Sequence, residues 1–155
     1  MKKIWYYFSV FISSVSFVGY VPFAGGTAAS AVGFIAAFFL PTDRLFFLIT
    51  ILIICVAVLP MIHSSEWYFG VDDDPRIVID EVLGYFLSVA LLPHSWKYFL
   101  AAFFLFRFFD IFKPKFIRES QNVPYGIGVV FDDILAAIIT NLILQAFRYI
   151  SYLFS

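Results

Sequence analysis

An all-α, membrane-embedded bundle of about six helical segments, some not fully spanning, is the fold this 155-residue sequence predicts. Three observations carry that expectation. Of the residues, 63% are hydrophobic and only 14% charged, whereas a soluble domain carries about a quarter charged residues. There are 22 Phe, 9 Tyr and 3 Trp; so many rings exceed the need of a soluble core but suit a lipid-facing surface with aromatic edges. The apolar runs are long and lack clean alternation, so no strand pattern competes. Length favours one domain over residues 1–155. A net charge of −1 offers no basic surface for nucleic acid. The single Cys55 lies in an apolar run and excludes a disulfide framework or a paired-cysteine metal site.

Breakers place the segments at 4–18, 28–40, 45–62, 75–92, 96–112 and 129–153. The first follows Lys2 and Lys3 and, with Ala29-Ser30-Ala31 beyond it, imitates a secretory signal. Its continuity with a second apolar run to Leu40 argues instead for a bundle helix. Ser9, Ser13 and Ser16 share one face of that helix, which suits close packing within a bilayer. After the break Gly19–Gly26, the second segment is too short to cross, since a span needs about 20 residues. Pro41-Thr42-Asp43-Arg44 is a turn, and 45–62 is long enough to cross. The polar stretch His63 to Asp74 separates it from the fourth segment. Asp74-Pro75 reads as an N-cap with proline at the first helical position, putting Asp80 and Glu81 about a turn and a half into the helix. Pro93-His94-Ser95 turns the chain into the fifth segment. There Arg107, Asp110 and Lys113 recur every three residues and form one charged ridge. A loop from Lys113 to Gly128 leads to the sixth, which also has spanning length and carries Asp132 and Asp133 near its first turn.

In an up-and-down bundle, every acidic motif falls at the same end, together with Gly19–Thr27. The opposite end holds only the turns at Pro41–Arg44 and Pro93–Lys97. Basic residues divide evenly. Arg76, Arg107, Lys113, Lys115 and Arg118 lie at the acidic end; Lys2, Lys3, Arg44, Lys97 and Arg148 lie at the other. Charge therefore leaves membrane orientation open.

Five carboxylates, Asp80, Glu81, Asp110, Asp132 and Asp133, gather with only Arg107 and Lys113 nearby. Charges within oily helices are costly and face a protein interior when they occur. An acid surplus of this kind suits a hard divalent cation, and Mg²⁺ commonly bridges carboxylates to a substrate phosphate. Arg107 supplies a bidentate fork and Lys113 a point charge for phosphate oxygens. Gly25-Gly26-Thr27 before a helix offers backbone N–H groups and a hydroxyl to an anion. Blander roles compete: salt bridges to Arg107 and Lys113 for the acid pairs, an organising role for Asp110 between those two bases, and helix capping for Thr27. Asp72 and Asp73 read as a solvated face. His63 and His94 fall at opposite ends and make no catalytic pair, and Cys55 lacks the arginine loop of a cysteine nucleophile. An ion- or proton-coupled transporter also keeps buried carboxylates, but nearer the midplane and with repeats that are missing here. A membrane phosphotransferase would use Mg²⁺ and acids in an Asp-Gly-led series that this chain lacks.

These motifs resemble those of the phosphatidylglycerophosphatase A family. The matching residues are Gly26-Thr27 with Ser30, Ile77–Gly84, Phe106–Pro114 and Gly126–Ala136, in order over roughly 17–145. Gly25 departs from the family's proline before Gly-Thr, and Lys115-Phe116 from its apolar-Pro pair. The resemblance implies an all-helical phosphatase of the bacterial inner membrane with its site on the cytoplasmic face. It implies Mg²⁺-dependent removal of the terminal phosphate of phosphatidylglycerophosphate, leaving phosphatidylglycerol. Carried onto this chain, the catalytic acids are Asp80, Glu81, Asp110, Asp132 and Asp133. The metal ligands among them are Asp80, Glu81, Asp132 and Asp133, and phosphate is bound by Arg107, Lys113, Thr27 and Gly26.

Overall fold

The computed structural model describes residues 2–71, 74–113 and 127–154. All its α-helices fit the expected class: α1 (Lys2–Ser13), α2 (Gly25–Ala37), α3 (Arg44–Phe69), α4 (Ile79–Val89), α5 (Trp96–Phe112) and α6 (Ile127–Leu153), with a 3₁₀ turn at Val18–Tyr20. No strand occurs among the described residues. Asp72, Asp73, Lys115, Phe116, Arg118 and Gly126 lie outside them.

Two helices are long and apolar enough to cross a membrane, Arg44–Phe69 and Val130–Leu153. Along α3 the outward residues Leu45, Phe46, Leu52, Ile53, Val56 and Leu59 are exposed, as expected of a surface facing lipid. At 1.5 Å per residue, α2 with 13 residues and α4 with 11 are too short to span. Helix α4 packs inside the bundle instead, and α2 packs one face against it. Helix α4 is the hub, packed against α2, α3, α5 and α6, with most of its side chains buried. Gly84 permits this closeness: a Cβ there would meet the Phe106 ring at 2.7 Å and the Asp133 Cβ at 3.2 Å. Tyr85 is fully buried and its hydroxyl donates to the Phe99 carbonyl at 2.9 Å. From α6, the Asn141 amide donates to the carbonyls of Ser88 (3.0 Å) and Ala90 (2.6 Å), satisfying the end of α4.

The boundaries differ most from the sequence reading at three places. Helix α3 runs through Pro60 and the supposed polar loop to Phe69, ending at Gly70 in the left-handed region (φ 71°), whose N–H reaches the Glu66 carbonyl. Ser64 and Ser65 do not break the helix because each hydroxyl donates to a carbonyl one turn back. Gly70 was the stop signal. Asp74-Pro75 does not start α4. Asp74 instead closes a tight turn, accepting from the Arg76 amide at 3.0 Å, and α4 begins at Ile79 after Val78. Asp80 and Glu81 thus lie in its first turn. Helix α1 stops at Ser13, because Val15, Ser16 and Phe17 form a left-handed turn with φ of 50°, 54° and 69°. Ser9 and Ser13 are buried as expected, and Ser13 meets Ser65 hydroxyl to hydroxyl at 2.7 Å. Ser16 leaves that face for solvent.

The path of α1 corrects the up-and-down topology. Trp5 donates to Ser64 at 2.9 Å, Tyr6 stacks on Trp67 (4.7 Å between centroids), Tyr7 meets Tyr68 edge-on, and Ser13 meets Ser65. Both ends of α1 therefore touch the last turns of α3. It crosses the end of that span and does not run along it.

Candidate active site

One cavity of about 660 Å³ opens at the end of the bundle where α1 lies. Its lining brings together Gly26, Thr27, Asp80, Glu81, Arg107, Asp110, Lys113, Asp132 and Asp133, every residue that the sequence nominated. Four separate segments reach it: the start of α2, the start of α4, the end of α5 and the second turn of α6.

The acids divide into two groups. Asp80, Glu81 and Asp133 each offer a carboxylate oxygen, and these three oxygens lie within 4.8 Å of one another. Asp110 and Asp132 are held by bases. Arg107 pairs with Asp110, Lys113 pairs with Asp132, and Lys113 also lies 4.0 Å from Asp110. The second oxygen of Asp132 accepts the Asp133 amide at 2.9 Å. Both cations are thus committed, and among the described residues none forms an ion pair with Glu81 or Asp133. Glu81 Oε2 and Asp133 Oδ2 are buried without a hydrogen-bond partner.

Three charges at such spacing repel by about 3 kcal/mol per pair at an effective dielectric near 20. Orphaned acceptor oxygens beside a cavity add a desolvation cost unless something joins them. A hard divalent cation with oxygen ligands fits both requirements. The donor set thus supports Asp80, Glu81 and Asp133 as ligands. Asp132, expected in that set, is bound to Lys113, and Asp110 has the organising contacts with both bases.

Gly26 has a reason beyond backbone freedom. A Cβ there would overlap the Glu81 carboxylate and come within 3.1 Å of Arg107. The first turn of α2, the acid and the base therefore converge on a point that only glycine leaves open. The helix begins after Ala24, so Thr27 is its third residue and not its cap. The amides of Gly25, Gly26 and Thr27 belong to the first turn, which has no acceptors within the helix, and all three residues line the cavity. Ser30 turns away, donating to the Gly26 carbonyl at 2.8 Å.

Sequence reasoning missed part of the cavity's lining, Gly19–Phe23 and Pro75–Ile77. Arg76 forks onto Asp74 with two 2.7 Å bonds, and its guanidinium lies 3.8 Å from the Phe69 ring centroid. This bonding holds the Asp74 carboxyl below the usual carboxylate range. The signal was Asp-Pro-Arg itself, read as a helix start when it encodes a turn.

The acid-rich, base-flanked pocket lies at one end of a helical bundle that holds two helices long and apolar enough to cross a membrane. The chain belongs to the phosphatidylglycerophosphatase A family, which it matches over residues 11–148. It is 35% identical over 122 residues to phosphatidylglycerophosphatase A of Escherichia coli, covering 77% of this chain and 70% of that protein. It is 46% identical over 82 residues to the Haemophilus influenzae protein of the same name, covering 52% of this chain and 50% of the relative. A Bacteroides thetaiotaomicron protein, provisionally named phosphatidylinositol-3-phosphatase, is 31% identical over 140 residues, covering 85% of this chain and 88% of its own length. No solved structure matches the chain.

Proposed function

We infer that this enzyme hydrolyses the terminal phosphomonoester of phosphatidylglycerophosphate, giving phosphatidylglycerol and inorganic phosphate for phospholipid synthesis, with Mg²⁺ as cofactor. The observation that carries the reading is the Asp80–Glu81–Asp133 cluster, with oxygens within 4.8 Å, in a cavity shared with Arg107, Lys113 and the start of α2. Bound Mg²⁺ supplies charge neutralisation and polarises phosphoryl oxygens. Arg107, oriented by Asp110, and the first-turn amides of α2 hold the non-bridging oxygens. Lys113, anchored on Asp132, balances the charge of the phosphate. A carboxylate oxygen left open by the bases, on Glu81 or Asp133, accepts a proton from the attacking water as the water oxygen bonds to phosphorus. The bond from phosphorus to the glycerol oxygen breaks, and the proton passes to that departing oxygen to give the free hydroxyl.

A cytoplasmic site in the inner membrane agrees with the crossing of α1. With both ends of α1 beside α3's last turns, Lys2 and Lys3 count with the site end. Among the described residues, Lys2, Lys3, Arg76, Arg107 and Lys113 then lie at the site end against Arg44, Lys97 and Arg148 at the other, the excess expected of a cytoplasmic face.

The deciding assay measures inorganic phosphate released from phosphatidylglycerophosphate in mixed micelles, with phosphatidylinositol 3-phosphate as the competing lipid. Hydrolysis of the first that stops in chelator and returns with Mg²⁺ is the expected result. Undiminished turnover in metal-free chelator removes the metal, and preference for the inositol lipid reassigns the substrate.

A further inference from the structure

Helix α1 is amphipathic in the sense opposite to a soluble surface helix. Its serines face inward: Ser9, Ser13 and the following Ser14 are fully or almost fully buried. Its large apolar residues face outward: Ile4, Tyr7, Phe8 and Phe11 are 40–75% exposed. Their spacing, i, i+3, i+4, i+7, is that of a single helical stripe.

The stripe continues around the pocket. Phe11 meets Phe17 at 5.5 Å and Phe17 meets Tyr20 at 5.7 Å. Phe17, Tyr20, Val21 and Phe23 are exposed, and Tyr20 through Phe23 line the cavity. On the other side, Tyr6 and Tyr7 join exposed Trp67 and Tyr68 at the end of α3. The patch is thus continuous with the outward apolar face of a membrane-spanning helix, at the level where aromatic belts sit. Exposed Lys3 borders it, suiting anionic headgroups. The turn that aims Phe17 outward is strained: three consecutive non-glycine residues are left-handed, each costing about 1–2 kcal/mol. It is held by the Phe17 amide on the Ser14 hydroxyl at 3.1 Å and the Gly19 amide on the Ser14 carbonyl at 3.0 Å.

We propose that α1 is an interfacial helix and not a membrane crossing. Its Ile4–Tyr7–Phe8–Phe11 stripe, with Phe17, Tyr20 and Phe23, seats in the leaflet that faces the pocket's mouth. This collar holds the cavity at headgroup depth, where a lipid's phosphate enters while its acyl chains stay in the bilayer. The inference extends the lipid-phosphatase reading, but its geometry is testable without catalysis.

The test uses the full chain in vesicles of phosphatidylethanolamine and phosphatidylglycerol. In a Cys55→Ala background, nitroxide labels are attached at Ile4→Cys, Phe8→Cys and Phe11→Cys, with Val56→Cys marking the span. Depth is read from relaxation by oxygen against a water-soluble nickel complex. The three α1 labels should share one shallow depth, roughly 5–10 Å into the headgroup and acyl boundary, with Val56 deeper. A crossing helix instead spreads residues 4 and 11 by about 10 Å in depth, at 1.5 Å per residue. That spread overturns the proposal. So does nickel-dominated relaxation at all three labels, which assigns the face to water or a protein partner. In a second arm, the Phe8→Ser, Phe11→Ser double variant should lose roughly tenfold in phosphate release from vesicle-embedded lipid. It should keep full release from a short-chain, water-soluble analogue. Equal loss on both substrates overturns the collar. Absence of lipid hydrolysis in the wild-type protein defeats the functional reading alone and leaves the depth result to decide.

Discussion

At the scale of single residues, the site turns on which acids the bases have already taken. Arg107 and Lys113 hold Asp110 and Asp132, and carboxylate oxygens of Asp80, Glu81 and Asp133 lie close enough together to hold a cation. Asp80→Asn, Glu81→Gln and Asp133→Asn should each lower kcat by about 100-fold or more, the scale of losing a metal ligand or its proton acceptor. Asp72→Asn should leave phosphate release near wild type; equal effects across the four variants would break the assignment. Gly26→Ala should act on the same cluster from outside it, since the new Cβ displaces the Glu81 carboxylate. A raised Mg²⁺ requirement with unchanged thermal stability is the expected signature, read from metal titrations of activity. Arg107→Lys should be more damaging than Lys97→Ala, because the first loses a planar fork and the second an exposed, screened charge.

At the scale of elements, the position of α4 decides whether the carboxylates meet at all. Gly84 lets it approach α5 and α6 closely, which sets Asp80 and Glu81 beside Asp133. Gly84→Ala should destabilise the protein by about 1–3 kcal/mol through overpacking. Because the obstructing group is the Phe106 ring, Phe106→Leu in the same chain should recover part of the loss. Unfolding of the two single variants and the double variant in detergent tests this coupling. The turn before α4 has its own pH signature. Arg76 holds the Asp74 carboxyl low, so its contribution to stability is complete above the ordinary value near 3.9 and is lost as pH falls through the depressed one. The advantage of wild type over Asp74→Asn in thermal unfolding should therefore be constant near neutrality and shrink only in acid below about pH 4.

At the scale of the whole molecule, α3 and α6 are long and apolar enough to cross a membrane, while the shorter α4 fills the interior and α2 packs one face against it. That division explains how so small a chain buries a polar site: α4 is covered on several sides by other helices and most of its side chains are buried. Impermeant thiol reagents applied to oriented vesicles should modify Thr27→Cys from the same side as Arg76→Cys, and Lys97→Cys from the opposite side. Labelling of Thr27→Cys and Lys97→Cys from one side would overturn the topology.

Periodicity and composition by themselves determined the helical membrane class, because long apolar runs admit no other way to satisfy backbone polar groups in lipid. They also singled out the site residues, because acids in oily helices are costly enough to stand out wherever they occur. Convergence of those residues at one end followed from connectivity for α2 through α6. For α1 connectivity misled, since a 12-residue helix is free to cross a neighbour's end, and only side-chain pairing with Ser64, Ser65, Trp67 and Tyr68 decided its path. The choice of which acids are taken by bases was likewise tertiary. Five carboxylates and two cations have many pairings in sequence, and distance across helices selects one.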